Sequence, residues 1–167
     1  MFKGTPEIVA QRREEIVNAC EKLYQTKSFK EINLKEIGEV TSFSRPTIYN
    51  YFHTKEEIFL ALYEREYERW NAELETIRNS DQGCTRKQLA EKIAGSLERR
   101  AQLLRLLSMN NFDMEENSRE EMLASFKRAY GRSLDLFRSI LGKHCPDMSS
   151  EEVKAIMYVF FAFMFGI

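Results

Sequence analysis

The stretch Phe29–Leu62, FKEINLKEIGEVTSFSRPTIYNYFHTKEEIFLAL, decides the fold of this chain. Its apolar spacing predicts two short helices, at about 34–40 and 45–52, joined by the tight turn 41–43. Two short helices with such a turn, preceded by a longer supporting helix, form a helix-turn-helix. The second helix of this motif can enter the major groove of DNA because another helix braces it from behind. The stretch therefore predicts a DNA-binding domain.

The side chains of the second short helix are suited to reading base edges. Ile48 and Phe52 lie four residues apart and are expected to anchor its inner side. The other positions carry hydrogen-bonding side chains: Arg45, Thr47, Tyr49, Asn50 and Tyr51. Arginine can read guanine, threonine can contact thymine, and asparagine can pair with adenine. We expect these side chains to face DNA.

The remaining sequence predicts no strand and five further helices. These lie at about 6–26, 55–79, 86–110 (broken once), 119–142 and 150 to the end. Four of the helix starts carry a capping box, in which Ser or Thr is followed three residues later by Glu or Gln: Thr54–Glu57, Thr85–Gln88, Ser118–Glu121 and Ser149–Glu152. We therefore predict an all-α protein with a three-helix DNA-binding domain at 1–54 and a second helical domain at 55–167.

The residues around the motif resemble those of the tetracycline-repressor (TetR) family over the first third of the chain. The matching positions are Asn33, Ile37, Ser44, Thr47-Ile48-Tyr49, Tyr51-Phe52 and Thr54-Lys55-Glu56. The resemblance implies a homodimeric transcriptional regulator that binds double-stranded DNA. It also implies a variable C-terminal helical domain that binds an effector and pairs through two long helices.

The resemblance also implies DNA-contacting residues, position by position. Lys35 and Ser44 resemble early groove or phosphate contacts, and Lys55 resembles a phosphate clamp. The matching base-reading positions are Arg45, Pro46 and Thr47, and the backbone and base-edge positions are Tyr49 and Tyr51. This chain differs from the family in two places. The turn 41–43 lacks the usual glycine, and Pro46 replaces a common glycine at a helix start, where proline is tolerated.

The second domain is rich in adaptable apolar side chains. The chain holds 12 Phe, 7 Tyr and 7 Met, which could line an apolar effector pocket or equally form the core and a dimer interface. The candidate pocket residues are Trp70, Met109, Phe112, Phe126, Tyr130 and Phe161. The last thirteen residues, 155–167, carry no charge. This run is shorter than the roughly 20 residues of a membrane span, so we expect a helix buried in a dimer interface. Because the run ends without a polar cap or a stop signal, we also expect the native polypeptide to continue beyond it.

Composition narrows the functional classes. The net charge is −1, with nine Lys/Arg against seven Asp/Glu in residues 1–55, so bulk charge does not indicate a nucleic-acid partner. The three cysteines are far apart, as in reduced thiols of a cytoplasmic protein without a metal or cofactor. An enzyme is not expected, because the chain has no glycine-rich phosphate loop, no H-E-x-x-H and only two, distant histidines.

The sequence thus favours a repressor released by a small, largely apolar effector. The alternative is a DNA-binding regulator whose second domain binds a protein partner. The operator, the effector and the regulated genes are not specified by the sequence.

Overall fold

The computed structural model describes residues 4–80, 83–109 and 112–166, with the backbone alone at positions 112 and 113. Within these ranges the regular secondary structure is entirely α-helical, which confirms the predicted fold class. The helices are α1 (Pro6–Tyr24), α2 (Leu34–Val40), α3 (Arg45–Ile48), α4 (Lys55–Asn79), α5 (Arg86–Glu98), α6 (Ala101–Leu107), α7 (Phe112–Glu116), α8 (Glu120–His144) and α9 (Ser150–Met164).

Local capping explains where several helices begin. Asn33 accepts hydrogen bonds from the first turn of α2, and the Glu36 carboxylate accepts one from the Asn33 backbone. The same reciprocal arrangement starts α5 at Thr85 and α9 at Ser149. Each box provides partners for backbone N–H groups that have none inside the helix. These starts are therefore determined by three or four neighbouring residues.

The helix α3 is shorter than predicted. It was expected to reach residue 52, but its regular part ends at Ile48. The chain then continues as a tighter turn, in which the Asn50 and Tyr51 N–H groups bond the carbonyls three residues earlier. The tighter turn rotates the following side chains relative to α-helical spacing. The short helix α7 was not predicted, and the predicted break within 86–110 falls between α5 and α6.

The chain divides into two compact units. Unit 1 comprises Met1–Leu62 with Asn111–Ala124, and unit 2 comprises Tyr63–Asn110 with Ser125–Ile167. In unit 1, α1 packs on α2 and α2 packs on α3. Fully buried apolar side chains fill the centre of this unit: Ile16, Cys20, Ile32, Ile37, Ile48, Phe52 and Phe59. The predicted boundary between residues 54 and 55 remains a prediction.

Unit 2 has an aromatic and aliphatic core. Its fully buried side chains include Tyr63, Tyr67, Trp70, Leu74, Leu103, Leu106 and Ile140. The helix α9 is buried at Phe161 and strongly exposed at Tyr158, Val159 and Phe163. Over the described residues, no helix is both long and apolar enough to cross a membrane.

Candidate DNA-binding surface and effector cavity

The helix α3 presents one buried and one exposed face. Ile48 and the following Phe52 have no exposed surface, which confirms the predicted inner anchors. Thr47 is half-buried. The exposed side chains of α3 and its flanking residues are Ser44, Arg45, Pro46, Tyr49 and Asn50. Five of the predicted DNA-contacting residues therefore lie together on one solvent-facing surface.

Two internal contacts order this surface. The Arg45 guanidinium donates a hydrogen bond of 3.1 Å to the Tyr49 hydroxyl and lies 5.7 Å from the centre of its ring. The hydroxyls of Ser44 and Thr47 are 2.9 Å apart. An exposed arginine restrained on an aromatic ring loses less conformational entropy when it binds a partner. Its guanidinium has further N–H groups, which could reach a guanine edge or a phosphate.

The turn between α2 and α3 is held by the first helix. Both the N–H and the hydroxyl of Ser42 donate to the Glu15 carboxylate, each at 2.8 Å. These two bonds are the main reason that the pKa of Glu15 lies below its usual value. The turn lacks the family's glycine, but none of the described non-glycine residues has a positive φ. It therefore needs no left-handed residue, and Glu15 fixes it from outside the motif.

Tyr51 is oriented differently from its exposed neighbours. Its side chain is only 6% exposed, and its hydroxyl accepts a 3.4 Å hydrogen bond from Arg12 of α1. The tighter turn after Ile48 accounts for this inward direction. A base contact by Tyr51 would require its side chain to leave this position. In the structure as it stands, Tyr51 joins the end of the motif to α1.

A buried ion pair holds the segment that follows α3. Glu57 belongs to unit 1 and is fully buried. Its carboxylate accepts hydrogen bonds from the His53 N–H at 2.8 Å and from three nitrogen atoms of Arg119. Arg119 also donates to the Tyr51 carbonyl at 3.2 Å, as Arg13 does at 3.1 Å. The segment that follows α3 is thus fixed by residues from distant parts of the chain. Sequence reasoning missed this site.

The charge state of Glu57 follows from these contacts. Burial raises the pKa of the Glu57 carboxyl, but the hydrogen bonds from Arg119 and from the backbone N–H groups of His53 and Arg119 outweigh it and leave the pKa below its ordinary value. The same carboxylate raises the pKa of Arg119. Both groups are therefore charged at neutral pH, and each compensates the desolvation of the other.

The two predicted phosphate-binding lysines differ in their surroundings. Lys35 is exposed on α2, with its ammonium 3.9 Å from the Glu39 carboxylate. The Lys55 ammonium donates to the carbonyls of Phe29 and Ile32 at 2.9 and 3.1 Å, and it lies 4.3 Å from the centre of the Phe29 ring. Lys55 therefore links the start of α4 to the loop before α2.

Four of the predicted pocket residues lie in one aromatic cluster of unit 2. The Phe161 ring centre is 6.2 Å from that of Trp70 and 6.1 Å from that of Tyr130. Tyr67 joins Phe126 to the same cluster at 5.9 Å. Trp70 is anchored at its other edge, where its N–H donates to the Ser96 hydroxyl at 3.0 Å. These rings pack on one another.

The other two predicted pocket residues are Met109 and Phe112. Met109 is half-buried just after α6. The side chain of Phe112 lies outside the described part of the chain.

A cavity of about 690 Å³ lies elsewhere in unit 2, among α5, α6, α8 and α9. Its wall is almost entirely apolar and includes Leu89, Ile93, Phe137, Leu141, Phe160 and Met164. Arg86 and Glu98 are the charged residues that line it. None of the six predicted pocket residues is in this wall. The volume lies within the range of about 300–1,000 Å³ that is usual for small-molecule sites.

Family comparisons account for both units. Residues 16–62 match the family model described as "Bacterial regulatory proteins, tetR family". Residues 64–167 match a second one, "Tetracyclin repressor-like, C-terminal domain". The chain belongs to the TetR family. None of the curated proteins matches it significantly.

Three solved structures, two of them described as TetR-family proteins, share this fold. The fatty acid degradation regulator FadR from Bacillus halodurans is 13% identical, with a TM-score of 0.64 over 99% of this chain and 83% of that chain. A TetR-family transcriptional regulator from Marinobacter aquaeolei VT8 is 12% identical, with a TM-score of 0.69 over 92% and 76%. The TetR-family repressor AlkX from Dietzia sp. is 15% identical, with a TM-score of 0.57 over 92% and 81%.

The TetR-family assignment gives the chain its general role. It is a transcriptional regulator with an N-terminal helix-turn-helix DNA-binding domain and a C-terminal helical domain. Regulators of this family bind DNA operators, typically as dimers, and are generally not enzymes. Among the residues with described side chains, no group of three or more His, Cys, Asp or Glu could hold a metal ion.

Proposed function

We propose that this TetR-family regulator is a cytoplasmic, homodimeric repressor that leaves its operator when a largely apolar effector enters the cavity of unit 2. The observation that carries the proposal is the apolar cavity of about 690 Å³ in the C-terminal domain. Part of this wall is exposed to solvent, as at Phe163. An apolar ligand would remove that surface from water and gain dispersion contacts with the lining side chains.

The proposed effector has a long alkyl chain. The wall offers aliphatic and aromatic side chains, and Arg86, the positively charged lining residue, already pairs with Asp147. Two structural neighbours also support an effector with an alkyl chain: FadR is a fatty acid degradation regulator, and AlkX is implicated in biodegradation of n-alkanes. These neighbours are 13% and 15% identical, so their names support a ligand class for this chain and no specific compound.

The proposed DNA contacts come from the exposed surface of α3 and its neighbours. We assign base reading to Arg45, Thr47 and Asn50, with Pro46 against the groove wall. Tyr49 and Ser44 would contact the DNA backbone, and Lys35 would contact a phosphate. Tyr51 and Lys55 would act on DNA mainly by positioning, because the first is buried and the second bonds two carbonyls.

Dimerisation is proposed to use the exposed face of α9. Tyr158 and Phe163 are each 79% exposed, and Val159 between them is 64% exposed. Large apolar side chains grouped on one helix face indicate an interaction surface. A second copy packed there would form a two-fold dimer that matches two half-sites on DNA.

The effector proposal is tested by thermal unfolding with a homologous series of saturated fatty acids and alcohols. A ligand at 100 times its dissociation constant stabilises the protein by about 2.7 kcal/mol, which should raise the melting temperature by roughly 5–10 °C. Ala94→Phe places a ring in the cavity wall and should abolish the shift. Ala72→Phe, at an exposed alanine outside that wall, is the matched control and should retain it.

Two outcomes contradict this proposal. One is a shift that is equal in both variants, since the ligand would then bind outside the cavity. The other is the absence of any shift across the series while the protein still binds DNA, which favours a second domain that binds a protein partner.

A further inference from the structure

A thiol and an imidazole meet at a corner of unit 2. Cys84 lies just before α5, and its Sγ atom is 3.4 Å from Nδ1 of His144 at the end of α8. The other ring nitrogen, Nε2, is 3.2 Å from the Ile77 carbonyl. A carbonyl only accepts hydrogen bonds, so Nε2 carries the proton. In the neutral ring Nδ1 is then the acceptor, and the Cys84 S–H donates to it.

This arrangement has the three parts of an activated nucleophile. Such a site has a nucleophilic side chain, a base within hydrogen-bond reach, and a third group that orients the base. Here these parts are the Cys84 thiol, the His144 imidazole and the Ile77 carbonyl. Cys84 is also partly exposed, whereas Cys20 and Cys145 are buried. A reagent from solution can therefore approach this thiol, which has a base beside it.

Cys84 directly precedes Thr85, the N-cap of the thirteen-residue helix α5. The Lys143 ammonium, next in the chain to His144, bonds the carbonyls of Arg78 and Ser80 at 2.8 and 2.9 Å. Lys143 and His144 therefore hold the same segment, which also supplies the Ile77 carbonyl. The cavity wall includes Cys145 but not Cys84.

We propose that Cys84 is a covalent modification site, at which α,β-unsaturated carbonyl compounds alkylate the thiol with His144 as general base. The Cys84 sulfur forms a bond to the β-carbon while its proton passes to Nδ1 of His144. The electron pair of the C=C bond moves to the α-carbon, which then takes the proton from the imidazolium. The product is a thioether and a neutral imidazole, so the addition needs no oxidant or reductant.

Alkylation removes a hydrogen bond from this corner. A thioether sulfur has no proton, so it cannot donate to Nδ1. Together with Lys143, His144 bonds carbonyls at and just beyond the end of α4. We therefore expect the modified protein to unfold at a lower temperature than the unmodified one. This chemistry is independent of the proposed effector and of DNA, and it would be a second, irreversible input to the same domain.

The test uses N-ethylmaleimide, itself an α,β-unsaturated carbonyl compound, on the full chain at pH 7, with labelling of each cysteine followed by peptide mass spectrometry. Cys84 should be alkylated first. It should also react faster in the native protein than in the same protein unfolded in urea, where the base is no longer beside it. A partly covered thiol without activation would react more slowly in the native state.

The variant His144→Gln separates activation from exposure. Glutamine keeps an N–H for the Ile77 carbonyl but has no basic nitrogen, so labelling of Cys84 should slow at least about tenfold. Cys84→Ser should lose the fast reaction altogether. The proposal is overturned if native Cys84 reacts no faster than in urea, if His144→Gln reacts at the wild-type rate in a folded protein, or if Cys20 or Cys145 reacts first.

Discussion

Replacing Arg119 by alanine should destabilise unit 1 by about 3–5 kcal/mol, the usual cost of leaving one partner of a buried ion pair uncompensated. The Glu57 carboxylate is fully buried and receives three hydrogen bonds from this arginine. Of these, the backbone N–H remains in the variant and both guanidinium bonds are lost. DNA affinity should fall as well, because Arg119 also donates a hydrogen bond to the Tyr51 carbonyl in the segment that follows α3.

The matched control is Arg132→Ala on α8, the helix that begins directly after Arg119. Arg132 also binds two carboxylates, those of Glu68 and Glu75, but these ion pairs are roughly half exposed. Exposed pairs contribute at most about 1 kcal/mol, so this variant should lose far less stability. Urea unfolding of both variants measures the difference. Equal losses would show that the Glu57–Arg119 pair does not anchor unit 1.

The pH dependence of the same pair has a definite sign. Because the folded pKa of Glu57 is below its usual value, the pair stabilises the protein above the unfolded pKa of about 4.3. That contribution is lost as the pH falls through the folded pKa. The stability difference between wild type and Arg119→Ala should therefore be largest at neutral pH. It should shrink as the pH falls towards the lowered pKa of Glu57 in the wild type, because burial without Arg119 raises the pKa of Glu57 in the variant.

The double substitution Tyr158→Glu with Phe163→Glu should convert the dimer to a monomer and lower operator affinity by about 10²–10⁴-fold, the range in which linked binding sites gain from effective concentration. Both side chains are 79% exposed in the single chain. Charges at these exposed positions should not disturb the fold of the protomer, although Phe163 also lines the cavity of unit 2. In the proposed interface the charges would be buried without partners. Sedimentation at tens of micromolar gives the mass, and DNA titration gives the affinity.

The choice of positions matters for this test. Phe161, on the same helix, is buried against Trp70 and Tyr130, so a charge there would disrupt unit 2 itself. Exchange of the two exposed rings, Tyr158→Phe with Phe163→Tyr, keeps an apolar surface and should leave the dimer intact. A wild-type protein that sediments as a monomer, or a glutamate variant that stays a dimer, would contradict the α9 interface.

Local signals in the sequence were sufficient for most helix boundaries. The helix α2 was predicted at 34–40 and found at Leu34–Val40, and the start of α4 at Lys55 was also predicted. These boundaries depend on caps and apolar spacing within a few residues. The predicted end of α3 was wrong, because the chain changes to a tighter turn after Ile48. This change alters which of the following side chains point outward. Tyr51 is buried for that reason.

Long-range contacts could not be predicted in the same way. Glu57 and Arg119 are 62 positions apart. From its neighbours in the sequence alone, Glu57 is predicted to be the acidic residue of a capping box that begins at Thr54. Its carboxylate instead receives the His53 and Arg119 donors. The cavity wall likewise combines residues of four helices, and its position depends on how those helices pack. Aromatic residues were predicted to line a pocket, but rings such as Trp70 and Phe161 pack on one another.

The proposed function requires that the exposed surface of α3 reads base sequence. The direct measurement selects preferred duplexes from a random pool with the wild-type protein. It then compares the affinity of wild type, Arg45→Ala and Thr47→Ala for the selected duplex and for a random one in the same buffer. We predict a pseudo-palindromic site, and a loss of about 1–3 kcal/mol per variant on that site with little change on random DNA. Equal losses on both duplexes, or no enrichment of any sequence by the wild type, would contradict the claim.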